Sequence, residues 1–234
     1  MSCGATRAAR TPVPYESAAD AQRVLARARA EGRIGDTLWL LEHPPTITWG
    51  SSARPEHLLL GELELARRGV AAVASERGGD ITFHEPGQLV GYPIVDLRAL
   101  GGDLHDYLRR VEEALIALCG ALGIAAARLE GRTGVWIPGE PPRKIAAMGV
   151  KARRWVTSHG FALNVENLLE GFEWIVPCGI RDAGVTSIAR ELGERHVPGW
   201  SEVEVLAHRA LEASLGRALT LIRGPAGIER AAGL

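Results

Sequence analysis

Three cysteines occur in 234 residues: Cys3, Cys119 and Cys178. So few, so widely spaced and odd in number, they exclude a disulfide framework, and no C-x-x-C pair offers a zinc site. The set reads as that of a cytoplasmic protein in a reducing compartment. Charge of one sign is also lacking. The formal net charge is −1, so no global field points to nucleic acid or to a membrane surface. No apolar run approaches the roughly 20 residues of a membrane span. The seven histidines show no H-x-x-x-H spacing, so no metal is expected. Internal repeats, low-complexity tracts and interdomain linkers are absent as well. The first dozen residues carry Arg7 and Arg10 without an apolar core and read as a flexible arm, not a signal peptide.

What is present is a 46% hydrophobic chain, enough for a sizeable core. Ser17-Ala18-Ala19-Asp20 resembles a capping box opening a helix to about residue 31. Residues 37–42 and 46–49 read as strands around the break His43-Pro44-Pro45, 58–68 as a helix and 70–75 as a buried strand. Residues 89–96 form another strand, with Pro93 arguing for an edge or a bulge. Asp103 caps an amphipathic helix over 104–122. A short strand at 134–137 precedes a hairpin, 144–151 with 156–165, turning at Arg153-Arg154. Ser201-x-x-Glu204 opens the last helix, to about 215, and a strand follows near 218–222. Strands outnumber helices, and several are hairpin-connected. The expected fold class is therefore α+β: a single domain over 13–223 with a mixed β-sheet core flanked by helices, an arm over 1–12 and a loose tail over 224–234.

Two stretches carry chemistry. Ile175-Val176-Pro177-Cys178-Gly179-Ile180 sets one thiol at a corner between a φ-locked Pro and a permissive Gly. A thiol titrates near 8.5 and becomes a nucleophile when cationic neighbours lower that value. Arg143-Lys144-Ile145-Ala146-Ala147-Met148-Gly149 drives a Lys into a small apolar segment, where a desolvated amine can act as base and acid. His84 and His159, each in a strand-like segment beside Gly, are rival bases for a Cys–His pair. Arg77-Gly78-Gly79 meets neither nucleotide fingerprint, G-x-G-x-x-G or G-x-x-x-x-G-K-[ST], and alone reads as a turn. Lys151, Arg153 and Arg154 read as a solvated turn or as a small basic patch facing an acidic partner.

Taken together, several ordered blocks resemble the octanoyltransferases of lipoic acid biosynthesis. They are Leu41-Glu42-His43-Pro44-Pro45, the run Arg77-Gly78-Gly79-x-x-Thr82-Phe83-His84-x-Pro86-Gly87-Gln88-Leu89-x-Gly91-Tyr92, Gly134-Val135-Trp136, Lys144-Ile145-Ala146-Ala147-x-Gly149-Val150, His159-Gly160-Phe161-Ala162-Leu163-Asn164, the Cys178 block and Val185-Thr186-Ser187. The resemblance covers about 13–215. It implies a fold similar to the biotin and lipoate protein ligase catalytic domains. It implies transfer of an octanoyl group from octanoyl-acyl carrier protein, through a Cys178 thioester, to a Lys of lipoyl domains such as those of 2-oxoacid dehydrogenases and glycine cleavage H protein. By motif, Cys178 is the nucleophile and Lys144 its acid/base partner. Arg77, Gly78, Gly79, Asp80, Ile81, Thr82, Phe83 and His84 then line the acyl site. Ala147, Met148 and Gly149 join them, with His159, Gly160, Phe161 and Ala162. No cofactor is called for. Glu85, Trp49 and Ser158 depart from the family pattern; Glu85 stands where Gly is expected and brings a charge beside His84. A lipoate-protein ligase using ATP, a Cys–His hydrolase and a non-catalytic lipoyl-domain binder are the competing readings.

Overall fold

The computed structural model describes residues 11–193, 195, 197–223 and 227–228. Cys3, Arg7, Arg10 and most of the 224–234 tail lie outside them. The chain joins the fold at Val13, whose N–H donates to the Glu42 carbonyl at 2.8 Å.

Among the described residues five α-helices occur, in chain order: α1 (Tyr15–Ala30), α2 (Glu62–Arg67), α3 (Leu104–Ala121), α4 (Ile188–Leu192) and α5 (Trp200–Leu215). The strands are β1 (Thr37–Leu41), β2 (Thr46–Trp49), β3 (Ala71–Ala74), β4 (Ile81–His84), β5 (Gln88–Ile94), β6 (Ala127–Leu129), β7 (Arg132–Ile137), β8 (Arg143–Arg153), β9 (Val156–Asn164), β10 (Gly184–Val185) and β11 (Thr220–Ile222). The large mixed sheet runs β11-β1-β5-β9-β8-β7-β6, with β10 joined to β8. A small sheet runs β3-β2-β4. This is the α+β class that the strand count implies.

Three apolar clusters explain the layering. The largest sits between one face of the large sheet and α3 with α5, where Tyr107, Val111, Leu115 and Leu118 meet Val203, Ala207 and Leu211. A second packs α1, through Ala18 and Leu25, on Trp39, Val90 and Tyr92 of the opposite face. A third joins the small sheet to the segment before Cys178, through Ile47, Ile81, Phe83, Phe172 and Ile175. The opposite face of the large sheet is thus covered twice, by α1 and by the small sheet. The seam between those covers is where the site lies.

Several sequence expectations are corrected. Helix α1 starts at Tyr15 behind Pro14, with no side-chain cap. Ser17 is therefore inside the first turn, because the 5% exposed Tyr15 is worth more packed than the cap. Likewise α5 starts at Trp200 after Gly199, and Ser201 caps nothing; Glu204 instead accepts from Trp200 Nε1 at 3.1 Å. The 58–68 helix shrinks to α2 after a 3-10 turn at Pro55–His57. Strand β3 is mostly exposed rather than buried. Strand β5 is central and fully buried despite Pro93. Its ladder to β9 stops at Gly91↔Phe161, so Pro93 needs no N–H partner there, and its carbonyl takes the Thr157 hydroxyl at 2.7 Å. The hairpin turns one residue later than expected, on Arg154 and Trp155, both at positive φ (51° and 66°), as a two-residue primed turn requires. Asp103 caps α3 as expected, accepting from the His105 and Asp106 N–H groups.

Candidate active site

Cys178 sits in a one-turn 3-10 segment, Pro177–Gly179, with φ 55° and ψ 20°. A side chain in this left-handed region costs roughly 1–2 kcal/mol, and strain of this kind concentrates where the surroundings over-determine a functional position. Two bonds hold the corner: Gly179 N–H donates to the Val176 carbonyl and Ile180 N–H to that of Pro177, both at 3.0 Å. Beneath it, His57 Nδ1 lies 2.6 Å from Asp80 Oδ2, and the His57 carbonyl accepts from Val176 N–H at 2.7 Å. A Cβ on Gly179 would come within 2.8 Å of Asp80 Oδ2, so the thiol loop rests directly on this pair. The thiol is free and half-buried.

Arg77 supplies the nearby charge. It is 7% exposed, and among the described residues it has no ion-pair partner. Its Nη2 donates to the Thr48 carbonyl at 2.7 Å and to Thr48 Oγ1 at 2.9 Å. Burial pulls the guanidinium below its ordinary value, opposed by its electrostatic attraction to the ionised forms of Tyr15 and Cys178. This buried cation, without an ion-pair partner among the described residues, lines the same cavity as Cys178. From Thr48 a polar chain runs inward. Thr48 Oγ1 is 3.4 Å from His84 Nε2, and His84 Nδ1–H donates to Gln88 Oε1 at 2.8 Å. Gln88 Nε2 donates to Asn164 Oδ1, and Asn164 Nδ2 to the Thr186 carbonyl, each at 2.9 Å. Thr186 N–H then donates to the Lys144 carbonyl at 3.0 Å. The Arg77 loop and the Lys144 strand are therefore set relative to each other by buried, mutually satisfied groups.

Lys144 reaches the same side through a β-bulge. Strand β8 pairs Ala146 with Val135 but Lys144 with Trp136, so β8 carries one extra residue. Ile145 and Ala146 both enter the large core, which turns Lys144 onto the face shared with Ala147. Its Nζ lies 4.7 Å from the centroid of the Trp136 ring, and it is 7% exposed. No carboxylate pairs with it among the described residues. Lys144 and Cys178 line one small cavity, together with Thr82, Ala147, Asn164 and Val185.

A narrow slot, about 30 Å³ in volume, opens from Cys178. The paired strands β8 and β9 line it through Ala147, Met148 and Gly149 and through His159, Gly160, Phe161 and Ala162. Arg77, Thr82, His84, Val90, Tyr15 and Tyr92 complete the lining. Small residues are dictated here by close approach. A Cβ on Gly149 would lie 2.7 Å from the Gly78 carbonyl oxygen, and one on Gly160 2.2 Å from that of Gly91. Five residues expected in the slot are instead its frame. Ile81 and Phe83 point into the third core, as alternation along β4 requires once Thr82 and His84 face the slot. Asp80 serves His57 and the Ile81 N–H. Gly78 N–H donates to the Val150 carbonyl, and the Gly79 carbonyl accepts from Ser52 N–H, both at 3.0 Å; the Arg77 loop thereby covers the edge of β8 that β7 leaves open.

Sequence reasoning missed Tyr15, Tyr92, Thr48 and His43 as parts of the site. Only His43 and Tyr92 stood inside quoted motifs, and nothing local marks Tyr15 or Thr48. Glu85 does not bring charge into the slot. Its Oε1 accepts from Asn167 Nδ2 at 3.0 Å and Leu169 N–H at 2.9 Å, pinning the segment that leads to Cys178. Trp49 packs against the third core, and Ser158 faces a groove behind the slot. Arg153 and Arg154 line that groove too, not the cavities at Cys178.

Three imidazoles, His43, His84 and His159, gather around Tyr15 and Tyr92. Burial pushes His43 and His159 down to about 4 and His84 well below its usual value. All three are neutral at pH 7 and are weak bases. Because the folded values lie below the unfolded one near 6.5, the unfolded chain binds protons first. Stability is then complete above pH 6.5 and is lost as pH falls towards 4. The expected loss is roughly 2 kcal/mol per imidazole by pH 5. Urea midpoints between pH 7 and 5 check this, and His43→Gln should flatten the slope; a pH-independent midpoint would contradict it. Among the described residues no cluster of His, Cys, Asp or Glu suits a metal ion, and no helix is long and apolar enough to cross a membrane.

Residues 14–208 match the lipoyl protein ligase A/B catalytic domain family. The chain is 54% identical over 192 residues to an octanoyltransferase of Chloroflexus aggregans, covering 82% of this chain and 86% of that one. It is 47% identical over 210 residues to an octanoyltransferase of Leifsonia xyli, covering 88% and 89%. Among solved structures it is similar to a lipoate-protein ligase A bound with ATP, at TM-score 0.66 and 16% identity over 92% of this chain and 88% of that one. It is also similar to a bi-partite lipoate protein ligase from Thermoplasma acidophilum, at TM-score 0.64 and 18% identity, with 92% and 86% covered. At such identities these two structures speak for the fold alone.

Proposed function

The chain belongs to the lipoyl protein ligase A/B catalytic domain family and is an octanoyltransferase, and from that premise we propose that it moves the octanoyl group of octanoyl-acyl carrier protein, through a thioester on Cys178, to a lysine of a lipoyl domain in the cytoplasm. The observation that carries this reading is one cavity lined by both a strained, free cysteine and a buried lysine that pairs with no carboxylate among the described residues, opening on a narrow slot.

In the first half-reaction Lys144 takes the Cys178 proton, and the thiolate attacks the octanoyl carbonyl. The tetrahedral intermediate expels the carrier's thiolate, which Lys144 reprotonates. The C–S bond to the carrier breaks and the C–S bond to Cys178 forms, so one thioester replaces another at little cost. Gly179 and Ile180 spend their N–H groups inside the turn. The Cys178 N–H and the Ala147–Gly149 edge are the donors assigned to the oxyanion. In the second half-reaction the acceptor lysine attacks the acyl-Cys178 carbonyl. Its ammonium gives up two protons: one goes by way of Lys144 to the departing Cys178 sulfur and one to solvent. Arg77 steadies that sulfur in both halves. Each buried CH₂ of the tail contributes about 0.8 kcal/mol, so several kcal/mol of binding come from the slot. Parting its walls offsets some of this.

The Cys–His alternative is disfavoured because His159 near 4 is a poor proton acceptor and His84 already spends both nitrogens on Gln88 and Thr48. The test is direct. The protein mixed with octanoyl-acyl carrier protein and an apo lipoyl domain, without ATP, should add one octanoyl mass to the acceptor lysine. A strict need for ATP and free octanoate would instead mark a ligase. Octanoate release at equal rate with and without the lipoyl domain would mark a hydrolase.

A further inference from the structure

The slot shares part of its wall with a much larger space. A groove of about 850 Å³ runs between α1, β3 and the β8–β9 hairpin. Tyr15 and His159 line both the slot and the groove, so these two side chains are the partition. Tyr15 is built as a fixed element. It is 5% exposed, and its hydroxyl lies 2.6 Å from Ser75 Oγ and 3.4 Å from His159 Nδ1. Its ring stacks on that of His84, with centroids 5.8 Å apart, and leans on His43 at 5.1 Å. Ser75 Oγ also accepts from the Arg77 N–H at 3.2 Å, which keys the start of α1 to the Arg77 loop. His159 is equally fixed. Its backbone is at φ 59°, and its N–H donates to Gln22 Oε1 of α1 at 2.6 Å.

Resting on the acyl-transfer reading above, we propose that Tyr15, backed by His159, is the stop that sets acyl-chain length: the tail attached at Cys178 ends against the Tyr15 ring, and the groove behind it is closed to longer chains by this partition. The chemistry fits the placement. The last carbon of an alkyl tail needs only a surface, and an aromatic face held by its own hydroxyl provides one without asking the tail for a hydrogen bond. A side chain short of the ring would join slot to groove. Twelve- or sixteen-carbon tails would then pass between α1 and β9.

The experiment compares transfer from octanoyl-, dodecanoyl- and hexadecanoyl-acyl carrier protein by wild type, Tyr15→Leu and Tyr15→Phe. Tyr15→Leu should raise the dodecanoyl-to-octanoyl ratio of kcat/KM tenfold or more, whereas Tyr15→Phe, which keeps the ring, should hold the wild-type ratio. An unchanged ratio in Tyr15→Leu would overturn the stop. A readout independent of variant folding uses wild-type enzyme loaded with an octanoyl chain bearing a terminal diazirine. Photolysis should label Tyr15 or His159, and label confined to other residues would overturn the stop even if Tyr15→Leu does not fold. Failure of the reading beneath it looks different: wild type would then form no octanoyl adduct and octanoylate no lipoyl domain.

Discussion

Cys178→Ala should abolish octanoyl transfer to the lipoyl domain, to the limit of detection, and should leave the fold intact. The half-buried sulfur fills no core position, and the Val176–Ile180 bonds that hold the corner are backbone bonds, so thermal stability should change little. The same corner makes a second, less intuitive forecast. Cys178 holds φ at 55°, a conformation that costs a non-glycine residue roughly 1–2 kcal/mol. Cys178→Gly should therefore be as inactive as Cys178→Ala and yet unfold at a higher temperature than it. Higher stability in an inactive variant is the expected mark of strain retained for function. Transfer surviving in either variant would remove the thiol from the reaction.

Lys144→Ala should lower kcat/KM by about 10²–10⁴-fold, the usual worth of a positioned acid/base. The octanoyl adduct on Cys178 should form slowly rather than vanish, because Arg77 and the turn remain. Lys144→Arg should fare no better than Ala. A guanidinium keeps the charge but does not release its proton near neutral pH, so the pair separates proton transfer from simple charge. Near-normal rates in Lys144→Ala would return the proton to a histidine or to solvent.

Much of the fold was legible because apolar periodicity and strong punctuation agree. The β8–β9 hairpin, α3 with its Asp103 cap and the alternating strands follow directly from pattern. What misled were local signals outweighed by packing. Ser17 and Ser201 have capping-box spacing, but the aromatics Tyr15 and Trp200 start their helices earlier. Pro93 argues for an edge, but a ladder interrupted at that point lets a proline stand in a central strand. The β6–β7 hairpin went unseen because β6 is three residues long and half-exposed.

At the site, motif blocks brought Cys178, Lys144 and most slot residues into view. They did not separate the residues that face the slot from those that hold its frame. Strand alternation decides that for Thr82 and His84 against Ile81 and Phe83, and is readable in hindsight. Asp80 depends on its partner His57, 23 residues away, and Tyr15 faces the slot only because α1 crosses the sheet there. Both are tertiary facts with no local trace.

The account stands most directly on where the acyl group rests between its two carriers. Wild-type enzyme should be mixed with octanoyl-acyl carrier protein, without acceptor, then quenched and peptide-mapped by mass. The account predicts one octanoyl group on Cys178, removed by neutral hydroxylamine as a thioester is, and discharged when an apo lipoyl domain is added before the quench. An octanoyl group on another residue, or full transfer to the lipoyl domain with Cys178 never acylated, would contradict it.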